Sequence, residues 1–292
     1  MRILVTGAGG LVGGRLAAIL HAKGFEVLAA YRSAAPPRGP RAFRVELEDD
    51  DALARLLDAE HPDAVVHGAA LAQIESCYAR PDLAASTNSR LPGRIAHACR
   101  ERDLRLVTLS TDLVFSGARA PLGEQDPARP LSVYGKTKLA GEEAVLEAHP
   151  EAAVARIALV IGRGHGPRAS ASESVAWAVR ADRRPLLFSD EYRTPVDPES
   201  VAQAIGQLLE CGGAGRFHLG GPERLSRFEL GRRVALALGL EASALIAGRQ
   251  ADHEAREPRP VDVSLDSTRA QRELGWRPRP LDEAIAESRL SP

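Results

Sequence analysis

The sequence has 292 residues, enough for one large domain or two modest ones with separate cores. At 44% hydrophobic and 26% charged it has an ordinary globular composition. Its 38 basic and 39 acidic residues leave a net charge of −1, which excludes the basic footprint of a nucleic-acid binder or a polybasic membrane patch.

In chain order, Ile3–Thr6 is a short apolar strand that runs into glycines, and Leu11–Ala22 has a helical pattern. Glu26–Tyr31 reads as a second strand, Asp50–Ala59 as a helix and Ala64–His67 as a third strand. A helix over about 82–102, a strand over 104–110, a helix over 134–148 and a strand over 153–160 follow. Continuous apolar strands separated by helices predict a parallel sheet covered on both faces, a doubly wound α/β domain with ligands beyond the carboxyl ends of the strands.

After Gly162 the alternation weakens. GRGHGPRASAS is a loop, 173–180 a helix and 185–188 a short strand; 198–210 is a helix and 215–219 a strand. Ser226–Leu238 is a helix with Ser226 as N-cap and Glu229 three positions on. The Pro-rich tail around 257–280 reads mostly as loop. The expected division is a dinucleotide-binding domain over 1–160 with a returning segment at about 190–212. A smaller, interleaved substrate subdomain takes 161–189 and 213–292.

Cys77, Cys99 and Cys211 are widely spaced without a CxxC pair, so they predict neither a disulfide framework nor a zinc site and read as small buried residues. The eight histidines form no HExxH or similar cluster, and no metal is expected. The start MRILVTGAGG carries no signal-peptide pattern and no run of about 18 apolar residues occurs, so a cytoplasmic protein without a membrane partner is expected. A homodimer is left open.

TGAGGLVGG between strand and helix places Gly7, Gly10 and Gly13 where a tight turn, a close backbone approach and helix–sheet packing demand glycine. A pyrophosphate there meets the free N–H groups and the positive end of the helix dipole. At the end of the second strand Arg32 and Ser33 stand where an acid would bind the ribose of NAD; an Arg suits a 2′-phosphate, so NADPH is expected, with NADH the alternative. Glu46 and Leu47 are placed to border the adenine.

SVYGKTKLAG puts Tyr134 and Lys138 on one helix face, four residues apart. An ammonium beside a phenol favours the phenolate and pulls its pKa down from about 10, which suits proton transfer. Thr111 ends the strand LRLVTLST, at the edge where ligands bind, and offers a hydroxyl to a carbonyl oxygen.

With these motifs the chain resembles the extended short-chain dehydrogenase/reductases, and within them the dTDP-4-dehydrorhamnose reductase family. The resemblance spans TGAGGLVG, VVHGAA, Asn88 in ASTNSRLP, STDLVFSG, SVYGKTKLAGEE, RTPVDPESVAQAI, FHLGGPERLSRFELG and RPVDVSLDSTRAQRELGW. It implies a Rossmann domain and hydride transfer from NADPH to C4 of a nucleotide-linked 4-keto-6-deoxy sugar. In those terms Tyr134 is the proton donor, Lys138 holds the nicotinamide ribose, and Thr111 polarises the carbonyl. Gly7, Gly10, Leu11 and Val12 wrap the pyrophosphate, Ala69 and Ala70 line the cofactor, and Asp112 and Arg193 join Thr111 at the substrate.

The departures are on the substrate side. RIALVIG puts Leu159 where the family carries a Trp, and LAQIESC replaces the usual YTxVDxAE, so an aromatic platform for the sugar nucleotide is expected to be missing. Two further occupations share the motifs: a reductase or epimerase of another small carbonyl or sugar, and a non-catalytic NADP-binding regulatory subunit.

Overall fold

The structure is a computed structural model and describes residues 1–254 and 257–287. Residues 255–256 and 288–292, which fall in the expected substrate subdomain, lie outside the described residues.

The N-terminal strands are β1 (Arg2–Thr6), β2 (Glu26–Tyr31), β3 (Arg41–Arg44), β4 (Ala64–His67), β5 (Arg105–Thr111) and β6 (Ala153–Ile157). The short strands β7 (Leu186–Phe188) and β8 (Tyr192–Arg193) come next, before β9 (Gly215–Leu219). The order β3-β2-β1-β4-β5-β6-β9 forms one seven-stranded sheet, parallel throughout. Strand order reverses between β1 and β4, and a doubly wound sheet opens its ligand crevice at such a reversal.

Period-2 alternation divides the sheet between two cores. Ile3, Val5, Val66, Val107 and Ala155 face α1 (Leu11–Ala22) and the later helix over 198–211. Leu4, Leu28, Val65, Leu106 and Val154 face the other side, with α2 (Asp50–Glu60) and the segment 91–101. The long helical stretch expected over 82–102 is α4 (Pro81–Ala85), a π turn (Ser86–Arg90) and α5 (Leu91–Glu101), preceded by the short α3 (Ile74–Ala79).

The next helices are α6 (Val133–Ala148), α7 (Ala171–Arg180), α8 (Pro198–Cys211) and α9 (Arg227–Ala237). Asp197 caps α8, its Oδ1 accepting from Glu199 N and Ser200 N at 3.1 Å each, with Pro198 in the first turn. Ser226 and Glu229 form the expected capping box on α9. A third apolar cluster gathers Ile161, Val175, Leu230, Val234 and Ile285.

At four places the structure departs from the sequence reading or adds to it. Residues 158–160 leave the sixth strand, where Val160 instead bridges Val196. The edge strand β3 is additional. The tail over 257–280 is mostly loop as expected, with α10 (Thr268–Leu274) set in it and stopped by left-handed Gly275 at φ 66°, and α11 (Leu281–Glu287) follows. Cys211 is exposed, while Cys77 and Cys99 are buried as expected. Among the described residues no helix is long and apolar enough to cross a membrane.

Candidate active site

The glycine turn after β1 has the backbone that its composition demands. Gly7 adopts φ 71°, and a Cβ there would stand 2.6 Å from Ala69 N, so a side chain is doubly excluded. A Cβ on Gly13 would collide with the Gly7 carbonyl, whereas one on Gly10 would stand 3.2 Å from it, tight but tolerable. Gly10 is the N-cap residue of α1, with no side-chain cap, so the helix presents bare N–H groups.

A cavity of about 220 Å³ opens over this turn. Gly7, Gly10, Leu11, Arg32, Glu46, Leu47, Ala69 and Ala70, all expected at the cofactor, line it. Glu48, Thr87 and Arg168 line it too and were not foreseen. The Arg32 side chain is 60% exposed at this cavity, 3.9 Å from Glu48 Oε2. A left-handed turn whose Cβ position is blocked, an uncapped helix N-terminus and two arginines suit a dinucleotide phosphate.

A second cavity, about 680 Å³, begins at Val12, the residue after Leu11, and reaches Thr111, Asp112, Tyr134 and Arg193. Its size is that of a small-molecule site. Two close approaches bring Tyr134 there. Gly135, in the first turn of α6, leaves no room for a Cβ against Leu113 O, and Gly141 none against Asn88 O in the π turn. Ser132 caps the helix through Gly135 N at 3.1 Å. Asn88, fully buried, accepts from Leu71 N at 2.9 Å and donates to Leu71 O at 3.0 Å and Thr137 Oγ1 at 3.2 Å. That ties the loop carrying Ala69 and Ala70 to α6.

The electrostatics differ from the expected lowering of the phenol by Lys138. Burial pushes the Tyr134 phenol well above its ordinary value, opposed first by the Thr111 hydroxyl, with the charge of Asp112 adding to the rise. Lys138, 5% exposed, donates from Nζ to Leu109 O at 2.8 Å. Burial brings its ammonium down to about 8, with Glu142 pulling the other way. Lys138 lines neither cavity wall; its charge instead helps burial to push the imidazole of His67 down to about 3. The physical reason is position: one turn beyond Tyr134, the ammonium lies under the sheet edge, against a carbonyl.

Beneath them lies a buried ionic network. Glu142 of α6, 1% exposed, accepts from Arg156 Nη2 at 2.7 Å and Nε at 2.9 Å, and from Ser110 and Arg216. These partners hold its carboxyl below the usual range against the opposing effect of burial. Arg156 also stacks on Phe115 at 4.9 Å.

On the substrate side Thr111 Oγ1 donates to Asp112 Oδ1 at 3.1 Å and accepts from Leu113 N at 3.2 Å. Arg193 pairs with Asp112 at 3.5 Å and Glu191 at 3.2 Å. Burial raises the Asp112 carboxyl, with Arg193 the main opposing influence. Arg227 and Arg259 line the same cavity, and Arg259 pairs with Glu191 at 3.7 Å. Glu191, Arg227 and Arg259 were invisible to sequence reasoning, because they converge from separate segments with no shared spacing. Leu159 lines the cavity, and so does Phe188 of β7, with the His253 ring 5.8 Å away.

The family model described as the RmlD substrate binding domain matches residues 1–289. A probable low-salt glycan biosynthesis reductase, Agl14, from Haloferax volcanii is 29% identical over 293 residues, covering 98% of this chain and 96% of its own. A dTDP-4-dehydrorhamnose reductase from Mycolicibacterium smegmatis is 33% identical over 275 residues, covering 92% of this chain and 79% of its own. The crystal structure of a hypothetical dTDP-4-dehydrorhamnose reductase from Sulfolobus tokodaii superimposes with a TM-score of 0.83 at 28% identity, covering 97% of this chain and 98% of that one. The glycine cleft, the Thr111–Tyr134 cavity and a match from end to end agree, and the chain belongs to the RmlD substrate binding domain family.

Proposed function

We propose that this chain is an NADPH-dependent reductase of a nucleotide-linked 4-keto sugar, of the dTDP-4-dehydrorhamnose reductase kind, with residues 1–160 and about 190–212 as its cofactor lobe. One observation carries the reading: Thr111 and Tyr134 face a 680 Å³ cavity that adjoins the glycine cleft, with Leu11 lining one and Val12 the other. The bound nicotinamide supplies the hydride. Gly7, Gly10 and Leu11 hold the pyrophosphate, and Arg32 takes the 2′-phosphate.

Tyr134 holds a proton at its phenol oxygen. A phenol carries its proton at neutral pH, and burial raises its pKa further. As the carbonyl oxygen becomes an alkoxide, the phenol gives up its proton to it. Thr111 lies beside that oxygen and orients it. Arg193, Arg227 and Arg259 give the cavity the cations for a diphosphate.

NADPH oxidation measured against a panel of dTDP- and UDP-linked 4-keto sugars tests the reading. Turnover of at least one is expected. Tight NADPH binding with no turnover of any would refute it and leave the regulatory subunit as the better account.

A further inference from the structure

Residues 162–170, between β6 and α7, form a bridge over the glycine turn. The start of α7 pins its two feet. Ser172 Oγ accepts from Gly162 N at 2.8 Å, and Glu173 Oε2 accepts from Ser170 N at 2.8 Å and from Gly164 N at 3.2 Å. The middle of the bridge rests on α1. His165 N donates to Leu11 O at 3.2 Å, and its imidazole fills the space beside Gly14, where a Cβ would stand 2.3 Å from the ring. The same ring donates from Nε2 to Ala35 O at 2.8 Å, in the loop that follows β2. One imidazole therefore ties α1 to the loop after β2. Gly166 then lies against the Gly9 carbonyl, its Cβ position 2.6 Å from that oxygen.

Two residues further on, Arg168 lines the cofactor cavity beside Gly7, Gly9 and Gly10. It is exposed and has no ion-pair partner among the described residues. The two arginines of the cavity stand on opposite sides of β1, which lies between β2 and β4. Arg32 follows β2. Arg168 reaches toward the β4 side, where its charge is felt by Cys77. Burial pushes that thiol up to about 11, opposed by the Asn88 hydrogen bond and by the charges of Arg80 and Arg168. Cys77 Sγ donates to Leu71 O at 3.1 Å, next to Ala69 and Ala70. Between the two arginines lies the glycine turn with its bare N–H groups. A guanidinium with no carboxylate to neutralise it, held over such a turn, suits a diphosphate, whose oxygens its planar fork can grip in pairs.

We infer that Arg168 is a side-chain ligand of the cofactor pyrophosphate, carried across the glycine turn by the 162–170 bridge, and that His165 is the positioning residue that fixes the bridge. This inference rests on the dinucleotide reading of the cleft, and binding alone tests it.

Calorimetric titrations of NADPH, NADH and ADP-ribose provide the test. The native chain is compared with Arg168→Ala, Arg168→Lys, His165→Ala and the double variant, with a thermal melt of each to report folding. Arg168→Ala should weaken all three ligands by the same factor, about tenfold or more, whereas Arg32→Ala costs NADPH alone. Arg168→Lys should recover part of the loss, and added salt should weaken the native chain more than Arg168→Ala. His165→Ala should weaken the same ligands severalfold, yet add little once Arg168 is gone. The inference is overturned if Arg168→Ala binds ADP-ribose within twofold of the native chain, or if its loss is confined to NADPH, which would put Arg168 at the 2′-phosphate. It is overturned too if the His165 and Arg168 losses multiply, or if salt weakens native and Arg168→Ala alike. A native chain that binds none of the three would defeat the cofactor reading together with the inference.

Discussion

Replacing Lys138 with Met removes a buried ammonium while keeping most of the side-chain volume. Folding brings that ammonium from its ordinary 10.5 to about 8. At 1.36 kcal/mol per pH unit the gap corresponds to roughly 3 kcal/mol. The direction is definite. Below pH 8 Lys138 is charged in both states, and the full cost of burying it is present. Between 8 and 10.5 the unfolded chain binds the proton and the folded chain does not, so stability rises with pH. Above 10.5 the contribution is constant.

Lys138→Met should lose this rise. At pH 7 the variant no longer buries a charge, but it leaves the Leu109 carbonyl without its donor, a loss of about 1–3 kcal/mol. The two effects nearly offset, so its stability there should lie within about 2 kcal/mol of the native chain. Urea unfolding of both proteins at intervals from pH 7 to 10.5 measures the difference directly. Because other groups titrating in that range are common to both, only the difference counts. If the two stability curves run parallel, Lys138 is not a desolvated ammonium and the reasoning fails. Weakened NADPH binding by the same variant would place Lys138 at the cofactor as well.

Three further outcomes follow from the geometry. Gly10→Ala should fold, since its methyl meets only the Gly7 carbonyl at 3.2 Å, yet bind NADPH at least tenfold more weakly in a fluorescence titration. Arg32→Ala should lose about ten- to hundredfold for NADPH and little for NADH; equal affinity of the native chain for both would remove Arg32 from the 2′-phosphate. Glu142→Gln leaves Arg156 charged and uncompensated in the core, and should destabilise the protein by about 3–5 kcal/mol in denaturant titrations.

Legibility in the sequence followed the range of the interactions. β1, the glycine turn and α1 were readable because an apolar run, a glycine-rich turn and an apolar helix-forming stretch are all local signals. The edge strand β3 was not: RAFR has no apolar run, and every residue of it is exposed or half-buried. Its strand character comes from pairing with β2, Ala42 opposite Ala29. In the tail, Pro258, Pro260, Pro278 and Pro280 masked α10, although Asp266 accepting from Thr268 N at 2.9 Å and the following Gly275 mark its two ends. The pairing of Tyr134 with Lys138 was visible from spacing, but where the ammonium points was not, because Leu109 belongs to the neighbouring strand. Glu191, Arg227 and Arg259 carry no spacing signal; only the folded cavity assembles them.

Turnover of Tyr134→Phe tests the central claim most directly. The substitution removes one hydroxyl from the cavity wall and touches neither the glycine turn nor Arg32. Steady-state NADPH oxidation with the keto sugar that the panel returns, beside an NADPH titration of the same protein, separates chemistry from binding. Turnover should fall by roughly 10²–10⁴ with NADPH affinity preserved, the usual contribution of a positioned general acid. A variant that keeps more than about a tenth of native turnover would show that the proton comes from elsewhere.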